Sequence, residues 1–324
     1  MSKKILIRIL QSKGVAIIFG LIFFIVSLCV VNGDATVPRP FDGLVFSGEN
    51  PFDGSPALSY LLNIVSLGMI ALFPVVINRD YRLIKSSTWY YVGIFFLIQL
   101  SFRQQLVTFG PASLLALCIG ASTWLLFSTY SSPHSGRTVF LIGFIVVGSS
   151  LWVAPAIFLL PIFVVGMEQM RILGLKTGLA LLLGAITPFW IVWGFELAEP
   201  FELMVPVSSL SLADMASQWS VAGLVTFIFI VLASVVALFG VLMKAINYNF
   251  MRRAFNAFIC LLIITLLILV FIDAGNIPVY ITLLNVLSAF QGAHLLANLS
   301  VDKALTWLTG LPVLLGVLAV WNYL

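Results

Sequence analysis

Gln291, His294 and Asn298 stand three and four residues apart, so on a helix they share one face, with Asn285 and Ser288 leading into it. Inside a membrane such polar groups are costly and point at a bundle interior or a cavity. The stripe could hydrogen-bond a polar substrate, with the His294 imidazole as proton acceptor. It could equally be interhelical hydrogen-bond glue worth about 0.6 kcal/mol per contact, which is the commoner use. A second set joins Asp34 and Asp42 to Arg39 and Arg103. A guanidinium at the membrane rim can hold a lipid or substrate phosphate in bidentate geometry, and a neighbouring aspartate can act as general base. The plainer alternative has the arginines anchoring headgroups while the aspartates make turns. Glu196, Glu199 and Glu202 form a third group, which Pro200 keeps off one helical face; a solvated acidic loop accounts for it.

Other chemistry is excluded by what the chain lacks. No Gly-rich phosphate loop followed by Lys-Ser/Thr, GxGxxG, HExxH or ordered Ser-His-Asp set occurs. With two histidines, and with Cys29, Cys118 and Cys260 far apart in apolar stretches, no metal site or cofactor is expected.

The elements that must hold these residues are helices in lipid. The chain is 61% hydrophobic and 9% charged, with a mean hydropathy of +1.15, whereas soluble domains carry about 25% charged residues. Lipid must therefore be its solvent. Apolar runs occupy 14–31, 58–77, 88–102, 109–127, 139–153, 155–167, 177–195, 220–243, 255–272, 279–296 and 305–323. They predict an all-α polytopic bundle of about eleven membrane segments in one domain, 1–324, with extracytoplasmic loops at 32–57 and 196–219. The basic start reads as an uncleaved first helix because no small-x-small cleavage site follows it.

The charges orient this map. With the N-terminus in the cytoplasm, all 16 Lys and Arg residues except Arg39 and Arg103 fall inside, as the positive-inside bias requires. Asp34, Asp42, Glu49, Asp53, Glu196, Glu199, Glu202, Asp214 and Asp273 fall outside, and the C-terminus is extracytoplasmic. The net charge of +4 is thus a topology signal, and no nucleic acid is expected. Parity depends on 139–167, which as one helix would be about 43 Å long against a hydrocarbon core of about 30 Å. A hairpin turning near Ala154-Pro155 satisfies the charges, either as two short tilted helices or as a re-entrant pair. Pro40-Phe41-Asp42-Gly43 and Pro51-Phe52-Asp53-Gly54 repeat in the first loop, each an Asp-Gly turn with an aromatic anchor for the membrane surface. Residues 209–219 are apolar enough for an interfacial helix.

The 63–84 helix ending in Val76-Ile77-Asn78-Arg79 and the 139–170 hairpin resemble a family of uncharacterised multi-pass inner-membrane proteins of Bacteroidota. So do Leu183-Gly184-Ala185-Ile186-Thr187-Pro188-Phe189 and the C-terminal pair from Ala293-His294 to Asn322. The resemblance covers most of the chain. It implies a Gram-negative inner membrane and carries over no catalytic residue. Three roles follow. One is an envelope-assembly protein handling a lipid-linked or amphiphilic substrate, in the manner of a glycosyl transferase or polymerase. The second is a small-molecule or lipid carrier; the third is a non-catalytic scaffold with a membrane-complex partner.

Overall fold

Each apolar run lies on a helix, because backbone groups in hydrocarbon must find partners within their own segment. The computed structural model describes residues 7, 10–33, 40–48, 50–52, 54–84, 89–102, 104–132, 135–197, 219–243, 248–297 and 299–322. Its α-helices are α1 (Lys13–Gly33), α2 (Pro56–Tyr81), α3 (Trp89–Leu100), the single turn α4 (Gln104–Val107), α5 (Pro111–Ser128) and α6 (Gly136–Ser150). After a 3-10 segment (Ala154–Leu159) come α7 (Leu160–Gln169), α8 (Leu175–Gly194), α9 (Val221–Leu242), α10 (Phe250–Ile272), α11 (Ile277–Leu296) and α12 (Val301–Trp321). A two-residue β-hairpin, β1 (Phe41–Asp42) and β2 (Ser47–Gly48), is the one sheet among the described residues. Eight of the helices are long and apolar enough to cross a membrane, and Trp89–Leu100, Gly136–Ser150 and Ala154–Gln169 are shorter. The chain is an all-α bundle of the multi-pass kind.

Two helices form its axis. In α11 83% of the apolar window is buried, against 28% in α8 and α12. In α3 every residue but Trp89 and Phe96 is buried. At 12 residues, α3 reaches only about 18 Å of a core about 30 Å thick. The turn α4 follows it, with Leu106 fully buried.

Contacts between helix ends fix how the elements alternate. At one end the Lys13 ammonium lies 5.4 Å over the Trp89 ring, and the Arg171 guanidinium 5.6 Å over Phe250. Tyr81 and Tyr130 both meet Phe255 edge-on there. At the opposite end Phe102 meets Trp219, Gln105 donates to the Pro278 carbonyl, and the Ser220 hydroxyl reaches Asn322.

The 139–167 segment is a hairpin, turning at residues 151–153 just before the expected Ala154-Pro155. Its apex leaves the Ser150 and Leu151 carbonyls outside the helical ladder. The loop carrying the β-hairpin folds over them. Leu44 N–H donates to Ser150 O at 2.9 Å and Phe46 N–H to Leu151 O at 2.9 Å. Phe46 stacks on Trp152 at 4.5 Å, with Phe41 edge-on at 5.8 Å. The expected aromatic anchors are therefore spent on protein: Phe41 is buried on Trp152, and Phe52 meets Phe109. Covering the hairpin apex satisfies more groups than lying on headgroups would. Residues 198–218, with Glu199, Glu202 and nearly all of the interfacial segment 209–219, lie outside the described residues.

Gly43 is required by this docking, since a Cβ there would overlap the Leu151 carbonyl and crowd the Trp152 Cα at 2.6 Å. Gly43→Ala should unseat the loop and cost about 1–3 kcal/mol. The check is a lower unfolding temperature in detergent, with faster proteolysis at 40–48.

Candidate functional site

The stripe anticipated on α11 exists and is buried throughout: Asn285 and Gln291 are fully buried, Ser288 is 6% exposed and His294 3%. Steps of three residues make it wind around the helix, so its members face different neighbours. Asn285 Nδ2 donates to Gln99 Oε1 and Phe95 O, both at 3.2 Å. Ser288 bonds Ser234 of α9, and His294 Nε2 meets the Tyr248 hydroxyl just before α10. Among the described residues Gln291 reaches only Cys260 Sγ, at 4.0 Å, and its Oε1 has no partner. Asn256, one turn before Cys260 on α10, is 1% exposed, and neither amide atom is bonded among the described residues. Most of the stripe thus joins helices, while the Gln291–Asn256 seam keeps unused hydrogen-bonding capacity. Asn298 lies outside the described residues.

Toward the other end the polar groups form a connected network. Gln105 Nε2 donates to Pro278 O at 2.6 Å, and its Oε1 accepts from Gln99 and Thr282, each at 2.9 Å. Asn63 of α2 donates to Gln105 O at 2.8 Å and Leu106 O at 2.9 Å, and accepts from Ser113 at 2.9 Å. One amide therefore ties the turn α4 to α2 and α5. Asp273, which the charge map places outside with the other acids, is fully buried, taking hydrogen bonds from Asn276 and the Tyr280 hydroxyl. Nothing in its sequence setting separates it from the exposed acids: it simply ends an apolar run.

Beside the stripe, α3, α9, α11 and α12 part to leave a cleft of about 340 Å³. Small residues make the space, namely Ala233 and Ala237 on α9 and Ala289, Gly292 and Ala293 on α11. A Cβ added to Gly292 would meet nothing within 4 Å. Tyr91 and Ile94 of α3 wall it on one side and Trp307 and Leu311 of α12 on the other. Its mouth opens on the outside of the bundle, where Leu232, Val236 and Trp307 are 58%, 60% and 55% exposed. The lining is apolar but for the Tyr90 and Tyr91 hydroxyls, which bond Leu308 O and Ala71 O, and Ser288, already bonded to Ser234. Gln291 and His294 do not line it. On α11 it spans Ser288 to Leu296, the half nearer Lys13, Trp89 and Arg171.

The anticipated carboxylate and arginine set is not brought together among the described residues. Asp34, Arg39 and Arg103 lie outside them. Asp42 is exposed in β1, paired with Ser47, at the end away from the cleft. Sequence reasoning missed the cleft, because its signal is small residues on two helices whose faces are known to meet only in the fold. Compared with protein-family models, curated proteins and solved structures, the chain finds no match in any of the three.

Proposed function

We propose that this chain is a single-domain, multi-pass inner-membrane protein of the cell envelope that takes the hydrocarbon chain of an amphiphilic or lipid-linked substrate into the lateral cleft. The cleft is the observation that carries this reading. Its volume falls in the ordinary range of ligand sites, and acyl chains are the matter that meets its mouth. The positive-inside bias puts the end with Lys13, Arg79, Arg171 and Arg252 in the cytoplasm and the C-terminus outside. A chain in the cleft then belongs to the inner leaflet, remote from Asp42. Binding or carrying an amphiphile thus fits better than glycosyl transfer at Asp42. The resemblance to inner-membrane proteins of Bacteroidota agrees in location.

Gly292→Phe tests the reading, because Gly292 lines the cleft and a Cβ there meets nothing within 4 Å. Occupancy by co-purified lipid, read by native mass spectrometry, should fall about tenfold, equivalent to ~1.4 kcal/mol of lost packing. Unchanged occupancy in a normally folded variant would remove the reading. A carrier of small polar solutes is the second reading, favoured by the Asn256 amide and the Gln291 Oε1, which find no partner among the described residues. It predicts that His294→Ala abolishes uptake or export in whole cells while the amount of protein stays constant; undiminished transport would count against it.

A further inference from the structure

Packing alone cannot make the cleft selective, since lipid tails are as apolar as the leucines around them and any chain fills a void equally well. Selectivity must come from a polar group at the mouth. Lys303 stands four residues before Trp307 and eight before Leu311, so it lies on the face of α12 that walls the cleft. It is exposed, in the first turn of α12. A lysine placed there extends its stem along apolar surface and keeps its ammonium at headgroup level. The cleft lining itself carries no charge. Asp302, the other charge in this turn, is rotated about 100° from Lys303 around the helix.

We propose that the occupant of the cleft is an anionic, phosphate-bearing lipid of the leaflet at the basic end, with its phosphate held by the Lys303 ammonium. This rests on the chain-binding reading above and adds the headgroup class. The ammonium is a point charge, so recognition is of charge and depth rather than of a particular ester. A water-soluble phosphate, lacking the chain, does not compete.

The test uses the full chain in detergent and lipids with identical brominated acyl chains, phosphatidylglycerol and diacylglycerol. Binding is read as quenching of Trp307, taken as the difference between the natural chain and Trp307→Phe. The expected result is an apparent affinity about fivefold higher for phosphatidylglycerol, the effect of one lysine at a membrane surface. Lys303→Gln should abolish the preference while both lipids still bind, and Lys303→Arg should keep it. Millimolar inorganic phosphate should displace neither lipid. Equal affinities in the natural chain, a preference that survives Lys303→Gln, or displacement by inorganic phosphate would overturn the headgroup assignment. Loss of neither lipid on Gly292→Phe would overturn the chain-binding reading instead, so the two failures are distinct.

Discussion

Gly184→Leu is expected to leave little folded protein, whereas Gly184→Ala should be damaged but recoverable. The buried residues of α8 are Leu181, Gly184, Pro188 and Val192, one stripe at helical spacing, while Leu182, Leu183, Ile186, Trp190 and Trp193 are exposed. Against this stripe α6 comes so near that a Cβ on Gly184 would overlap the Phe140 carbonyl oxygen, and one on Gly143 would stand 2.5 Å from the Leu181 oxygen. Backbone on both sides cannot yield as a flexible side chain does. Small residues permit this approach, and close packing is what holds helices together in lipid. A leucine must push the helices apart over their whole contact, which exceeds the 1–3 kcal/mol usual for an overpacked core. Membrane-fraction yield and size-exclusion profiles of the two variants check it. A monodisperse Gly184→Leu protein melting with the natural chain would show that the seam is not needed.

Asn63→Leu carries the second largest effect. It removes an amide that donates to the Gln105 and Leu106 carbonyls and accepts from the Ser113 hydroxyl, all at membrane depth. Leucine is close in size, so the loss is polar rather than steric. Three groups lose their partner where no water replaces it, at about 1–3 kcal/mol each. The expected sum is on the order of 3 kcal/mol or more, seen as a lower unfolding temperature in detergent. Ser113→Ala, which removes one of these bonds, should cost about 1 kcal/mol. An Asn63→Leu protein no less stable than Ser113→Ala would mean that the 101–110 segment holds itself in place.

These two residues show what the sequence could and could not say. The helices were legible, because apolar runs between charges report the lipid phase directly, and even the hairpin at 139–167 followed from parity. The three-residue steps from Asn285 to His294 were visible too. Their partners were not, since Gln99, Ser234, Cys260 and Tyr248 come from four other segments. Asn63 looked like one polar residue in an apolar run, and only the fold shows Gln105 and Ser113 beside it. The burial of Asp273 was hidden for a related reason: ending an apolar run does not show that a helix turn will bury the carboxylate beside Tyr280. Phe41 and Phe52 were assigned to headgroups because the sequence did not show that Trp152 and Phe109 would stand within reach. The cleft was hidden most completely, being made by what Ala289, Gly292 and Ala293 leave unfilled.

The most direct test of the central claim is an electron-microscopy structure of the chain in nanodiscs of native lipid. Elongated density should run between Tyr91, Gly292 and Trp307, ending in a headgroup beside Lys303. Helix α12 closed against α9, with no density between Gly292 and Trp307, would contradict it.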